Sequence, residues 1–296
     1  MKIAIVIPCF GRCNFLQKVV EILKEQYVDD LDSLVIYLVD NGSAESLVQY
    51  AEYACILKPT SNLLYFGAVY YVSQLKPNLD ILVLLNQDVV IKDLLFINKL
   101  IEPLKYLPQS MAAVAPTIVL NKFPTHINAY GLRKCLAGIW LPDRFLEKKQ
   151  DDGFPLHMHV QGVSGCAFAV RKEIFDSYMS ENRELDIFYN EDSSLNEFFC
   201  KHGLSALVAS GCIIEHDYTP VLFSIRKSRM WIISYIKKQI SNRKARNPKA
   251  LDTGGNQATA AINYGVFQSA YFMFKYLIRV FIYKDMLTKS RSCKKY

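Results

Sequence analysis

The run Ile81-Leu82-Val83-Leu84-Leu85 passes directly into Asn86-Gln87-Asp88. Five successive apolar residues without polar alternation describe a strand buried on both faces, the kind from which parallel sheets are built. A carboxylate just past its end sits where open α/β sheets bind their ligands. Working outward, similar β-branched runs occupy Ile3–Ile7, Leu34–Val39, Cys55–Leu57 and Ala112–Ala115. Helical periodicity fills the intervals at Asn14–Glu25, Ser43–Tyr53, Tyr65–Leu75 and Leu94–Leu107. Strands alternating with helices predict an α/β fold, its mostly parallel sheet covered on both faces. Pro8 has no N–H for a ladder and is expected to stop the first strand.

Past Ala115 the pattern changes. Residues 117–160, irregular and rich in Pro, Gly, Asp and His, read as a loop or lid. A strand at Val160–Val170, a helix from about Lys172 and a helix Ser193–His202 closed by Gly203 follow. Short strands at Ala206–Val208 and Ile213–Glu215 complete a first domain of residues 1–220.

At 296 residues and 51% hydrophobic content the chain can bury a substantial core. Its 13 glycines and 11 prolines are too few for a disordered or collagen-like protein. The first apolar run is too short for a signal peptide, so a cytoplasmic location is expected. Eight cysteines include no C-x-x-C pair, which removes zinc-ribbon and thioredoxin readings and favours reduced, buried thiols.

Charge divides the chain. Residues 1–220 carry 19 Lys and Arg against 26 Asp and Glu, while residues 221–296 carry 16 against 2. A block this basic calls for nucleic acid, an anionic membrane or a phosphorylated substrate. Val221–Ile240 and Ala258–Leu287 read as amphipathic helices joined by the polar linker Ser241–Asn256. In the second, Phe272, Tyr276 and Val280 fall on one side and Lys275, Arg279 and Lys284 mark the other. Polar residues such as Asn256, Gln257, Asn263 and Gln268 argue against a membrane span. A helix lying in the membrane interface fits, as does one packed on the first domain.

Three polar clusters follow strands and a fourth precedes a helix. Asp40-Asn41-Gly42-Ser43 offers a carboxylate for a base or ribose and a turn into a helix. Asp88 emerges from a buried strand and needs a cation or hydrogen-bond donors to offset desolvation. A divalent ion holding a diphosphate is one such cation. Asn190-Glu191-Asp192 precedes a helix, where carboxylates either cap the helix or take a proton from an attacking hydroxyl. His216 follows a short apolar strand and is either structural or a second metal ligand.

The order of these pieces carries more than any one of them. Pro8-Cys9-Phe10-Gly11-Arg12, Asp40-Asn41-Gly42-Ser43, Asn62-Leu63-Leu64-Tyr65-Phe66-Gly67-Ala68, Asn86-Gln87-Asp88, Gly165-Cys166-Ala167-Phe168-Ala169-Val170-Arg171, Glu191-Asp192 and His216 stand in that sequence. The series resembles family 2 glycosyltransferases of the GT-A fold, most closely the rhamnosyltransferase-type members of bacterial polysaccharide synthesis. The resemblance spans about residues 2–220. It implies that Pro8, Phe10 and Arg12 line a nucleotide pocket, that Asp40 contacts the base or ribose, and that Asn62 and Gly67 lie near the diphosphate. Asp88 would be the metal-holding acid of the family's D-x-D motif, with His216 completing the metal shell. Asp192, or alternatively Glu191, would be the base of an inverting displacement. Gly162 and Gly165 would let the backbone approach the sugars.

Asn86 departs from the motif by standing where its first acid belongs, which thins the metal site by one carboxylate. The resulting expectation is sugar transfer from a nucleoside-diphosphate sugar, assisted by Mg2+ or Mn2+. The expected acceptor is a lipid-linked oligosaccharide, met by a peripheral protein at the inner face of the membrane. Asn86 motivates an alternative, a catalytically inactive membrane-docked assembly subunit. A nucleic-acid-binding protein is a weaker alternative, because the basic segment holds no recognised nucleic-acid motif. A dinucleotide-binding dehydrogenase fails, since no G-x-G-x-x-G follows the first strand.

Overall fold

The computed structural model describes residues 1–26, 33–135, 139–149, 157–182 and 191–218, with 271, 274–288 and 290. The elements in order are β1 (Lys2–Gly11), α1 (Leu16–Lys24), β2 (Ser33–Ser43), β3 (Cys55–Leu57), α2 (Leu64–Leu75), β4 (Ile81–Leu85), β5 (Val89–Val90) and α3 (Phe96–Tyr106). There follow β6 (Met111–Leu120), β7 (Phe123–Ala129), β8 (Leu132–Lys134), β9 (Trp140–Pro142), β10 (His157–Val160), β11 (Ala167–Arg171), α4 (Lys172–Glu181), α5 (Glu191–Lys201) and β12 (Ser205–His216).

A ten-stranded sheet runs β10-β12-β6-β11-β4-β1-β2-β3, with β5 on β12 and β7 on β6. The β4-β1-β2-β3 half is parallel, as is the β6–β12 pair. Between those groups lies β11, antiparallel to both β4 and β6. Alternate residues of each central strand enter opposite layers, the two-residue period of a pleated strand. Ile3, Ile5, Ile7, Val83 and Leu85 pack with Leu16, Val19 and Leu23 of α1 and with Phe96, Leu100 and Leu104 of α3. Ala4, Val6, Leu82 and Leu84 pack with Phe66, Val69 and Val72 of α2, Phe175 of α4 and Leu195 and Phe199 of α5. Apolar runs without alternation therefore lie in the centre of three layers, as the sequence led us to expect.

Five expectations need correction. Pro8 does not end β1, which continues beside β2 to Gly11. The β1–β4 register ends at Val6–Leu84, so Pro8 borders a single strand and its missing N–H breaks no ladder on the β4 side. Ser43–Tyr53 forms no α-helix; only a 3-10 turn at Leu47–Tyr50 appears, because Ser43 belongs to β2 and Ser46 caps the short turn. Residues 117–160 are not simply a lid, since β6 runs on to Leu120 and turns into the β7 hairpin. Val160–Val170 is two strands, β10 and β11, interrupted by a bend that holds Gly162 and Gly165. The two short strands expected near the end are one irregular strand, β12, whose pairing to β6 shifts between Ala209 and Ile213.

The chain divides into two units. The first comprises Met1–Leu132, Pro142–Asp186 and Glu191–Tyr218 and holds the large sheet. The second, among the described residues, includes a helix over 274–288 that buries Val280 and Tyr283 and exposes Phe274, Ile278 and Phe281. The expected helix Val221–Ile240, the linker Ser241–Asn256 and Phe272 lie outside the described residues. Among the described residues no helix is long and apolar enough to cross a membrane.

Candidate active site

The site is built at the carboxyl ends of β4, β1 and β2. Asn86 donates its N–H to the Cys166 carbonyl at 2.9 Å, tying the end of β4 to the bend before β11. Three residues on, β5 pairs with the end of β12, with Val89 opposite His216. That bridge brings His216 Nε2 to 3.4 Å from Asp88 Oδ1. On its other side the imidazole Nδ1 meets Asn128 Oδ1 at 2.9 Å. The Asn128 carbonyl oxygen accepts the Nδ1 proton there, so Nε2 is the ring nitrogen that faces Asp88. Burial by itself would push the His216 pKa down, but the adjoining Cys166 and Asp88 raise it well above its usual range.

Asp88 and His216 fit a divalent cation. Two ligands at about 2.1 Å and right angles stand roughly 3 Å apart, near the separation found. Among the described residues no third His, Cys, Asp or Glu joins them. Remaining positions would fall to the donor's diphosphate and water, the usual arrangement for Mg2+.

Asp192 is the second residue of α5. Its Oδ2 accepts the Gly165 N–H at 3.1 Å, and its Oδ1 accepts the Ser193 N–H at 2.7 Å. Gly165 leaves room for this contact, since a Cβ there would stand 3.4 Å from the Asp192 Cβ. At Gly162 a Cβ would fall 2.4 Å from the Asn196 side chain, so only glycine fits. Asn196 fills that space fully buried, exchanging two 2.9 Å hydrogen bonds with the Val163 backbone. The buried thiol of Cys166 lies within electrostatic reach of His216, Asp88 and Asp192. The Asn86–Cys166 and Gly165–Asp192 hydrogen bonds therefore tie the end of β4, next to Asp88, and the start of α5 to the same bend before β11.

The residues expected to line a nucleotide pocket are placed as follows. Pro8 is buried within β1, whereas Phe10 near its end and Arg12 just past it are exposed. Gly42, at φ +107°, lets the Phe10 ring approach to 3.5 Å of where a Cβ would be. Asp40 Oδ1 is occupied by the Gly42 N–H and by the Ser43 N–H and hydroxyl, and its Oδ2 lies 3.9 Å from Lys58. Desolvation pushes the Asp40 carboxyl up, but those hydrogen bonds and Lys58 outweigh it and hold the pKa below the usual value. Asn62 Oδ1 accepts the Leu64 N–H at 2.8 Å, at the start of α2, and Gly67 lies in its first turn.

Sequence reasoning missed several polar residues. Gln87 clamps the first loop: its Oε1 accepts from the Phe10 N–H and Cys13 thiol, and its Nε2 donates to the Phe10 and Arg12 carbonyls. Buried Asn41 bonds the Leu63 N–H and Leu64 carbonyl, docking α2 on the end of β2. Asn128 and Asn196 also went unnoticed. An uncharged amide has no local signature, because its role depends on which distant backbone it meets.

A cavity of about 460 Å³ lined by Lys24, Leu34, Glu52, Tyr53 and Cys55 lies at the opposite, amino ends of β2 and β3. It holds none of these residues.

A family model described as glycosyl transferase family 2 matches residues 4–179, more than half of the chain. The chain belongs to glycosyl transferase family 2. This family 2 member resembles the crystal structure of GalNAc-T7 with UDP, GalNAc and Mn2+ at a TM-score of 0.58 and 16% identity. The likeness covers 74% of this chain but only 44% of that one, and it supports a GT-A type of fold. No curated protein sequence matches the chain significantly.

Proposed function

We propose that this transferase moves a sugar from a nucleoside-diphosphate sugar to an acceptor hydroxyl with inversion. The observation that supports the reading is the Asp88–His216 pair, linked to the Asp192 carboxylate through the Asn86–Cys166 and Gly165–Asp192 hydrogen bonds. The UDP and Mn2+ named with the GalNAc-T7 structure support a similar donor and metal for this chain. Asp88 and His216 would hold Mg2+ or Mn2+, which supplies positive charge against the departing diphosphate. Pro8, Phe10, Arg12, Asp40, Asn62, Gly67 and Asn86 would surround the nucleotide and diphosphate. Asp192, with Glu191 as the alternative, takes the proton of the acceptor hydroxyl. The acceptor oxygen forms a bond to the anomeric carbon as the bond to the diphosphate oxygen breaks.

The acceptor we favour is a lipid-linked oligosaccharide of bacterial surface polysaccharide, either O-antigen or capsule, receiving a rhamnosyl or hexosyl unit. Residues 1–220 would form the catalytic domain, and 221–296 would hold the protein peripherally at the inner face of the membrane. Two facts support that arrangement: the excess of 16 basic over 2 acidic residues, and the exposed Phe274, Ile278 and Phe281.

A screen of nucleotide sugars with Mg2+ and Mn2+ tests the reading. Asp88→Ala and Asp192→Ala should each lower transfer at least 100-fold, and full activity in both would refute the assignment. Co-sedimentation with anionic vesicles at two salt concentrations tests the membrane half. Equal recovery with neutral vesicles, or stronger recovery with oligonucleotides, would overturn it.

A further inference from the structure

The hydroxyl of Tyr65 is fully buried and has no hydrogen-bond partner among the described residues. Burying a hydroxyl unsatisfied costs stability, so each such group in a folded chain calls for an explanation. Tyr65 is the second residue of α2, and the turn that aims it is held from several sides. Asn62 accepts from the Leu64 N–H, while Asn41 accepts from the Leu63 N–H and donates to the Leu64 carbonyl. Leu64 itself has φ +61°, a left-handed conformation that a leucine rarely adopts. Backbone strain of this kind persists where the surroundings over-determine it, and it clusters at ligand sites.

Asn41 docks the start of α2 on the end of β2, which puts Tyr65 at the carboxyl ends of the strands, as Asp88 is. The phenol oxygen lies within electrostatic reach of Cys166, Asp88, Glu191 and Asp192. Desolvation, aided by those groups, keeps it protonated, so it remains a neutral hydrogen-bond donor and acceptor. It stands near the metal pair, where the leaving diphosphate belongs, and near the carboxylates that would face the attacking hydroxyl. In a displacement the transferred sugar lies between those two parties. A neutral hydroxyl among carboxylates suits a sugar, which both donates and accepts. A diphosphate only accepts.

We infer that the Tyr65 hydroxyl is a sugar contact, hydrogen-bonded to the sugar of the donor while that sugar is transferred. The inference rests on the glycosyl-transfer reading. It adds a side chain that recognises the sugar rather than the nucleotide or metal.

Tyr65→Phe removes a single oxygen and keeps the ring that packs on Phe66 at 5.6 Å between centroids. Three measurements on the full chain separate the outcomes: the melting temperature, the affinity for UDP, dTDP and GDP with Mn2+, and the kinetics with whichever nucleotide sugar the wild type uses. A sugar contact predicts a melting temperature equal to or above wild type and nucleotide affinity within two-fold. It also predicts kcat/KM for transfer lowered ten-fold or more. Unchanged kinetics overturn the inference. So does a parallel loss in nucleoside-diphosphate affinity, which would move the contact to the diphosphate, or a drop in melting temperature, which would make the residue structural. A wild type that binds none of the nucleotides and transfers no sugar would instead sink the parent reading.

Discussion

His216 Nε2 and Asp88 Oδ1 stand 3.4 Å apart because β5 and β12 pair for just two residues, Val89 with His216 and Val90 with Glu215. The imidazole is aimed by a third residue, Asn128, on the β7 arm of a hairpin. Such outer partners of metal-binding histidines typically contribute 10- to 100-fold in metal affinity. Asn128→Leu should therefore weaken Mn2+ binding by about that factor, read by titration followed with electron paramagnetic resonance. Binding unchanged from wild type would mean that the amide aims nothing.

Gln87 sits between Asn86 and Asp88 yet spends its side chain on the loop of Phe10 and Arg12. Gln87→Ala frees that loop and strands backbone groups. We expect a stability loss of about 1–2 kcal/mol in urea denaturation. Nucleoside-diphosphate affinity should fall while Mn2+ affinity in the absence of nucleotide stays near wild type.

Asp40 supplies the pH dependence. Its folded pKa lies below the ordinary 3.8, so the unfolded chain takes up the proton first as pH falls. The carboxylate therefore stabilises the fold fully above 3.8, and the contribution is lost as pH drops through the lower folded value. The wild type should exceed Asp40→Asn by about 1 kcal/mol at pH 7. The gap should close below pH 3.8, measured as paired urea melts across pH.

Arg171 ends β11 and reaches back to α3. Its guanidinium donates to the carbonyls of Leu104 and Leu107 at 2.9 and 3.0 Å, and to Met111 at 3.0 Å. Arg171→Ala leaves those acceptors without their donor and should cost about 2–3 kcal/mol. Arg171→Lys should recover little, because an ammonium cannot reproduce the planar fork. Recovery of wild-type stability by lysine would contradict this account.

Much of this architecture was legible in the sequence. Ile81–Leu85 appears with the bounds the apolar run suggested, because a strand buried on both faces leaves no polar alternation to blur it, and the partly buried edge strand Cys55–Leu57 also keeps its bounds. Ser43–Tyr53 misled, since helical spacing over a short stretch loses to a strand that already claims its first residue. Charged site candidates were visible because a carboxylate after an apolar strand is locally anomalous. The amides of Asn41, Gln87, Asn128 and Asn196 were not, and neither was the hydroxyl of Tyr65. Their partners lie far along the chain, and only the folded backbone says which ones they meet.

The β5–β12 bridge also bears on how the protein comes to be made. Synthesis supplies Asp88 early, but its imidazole neighbour leaves the ribosome only after β12, the last strand of the sheet, has been produced. A nascent chain still lacking that strand can close β1 on β2 and β4, yet it has no paired carboxylate and imidazole. On the proposed metal role of that pair, its two side chains would come together only once the sheet is complete.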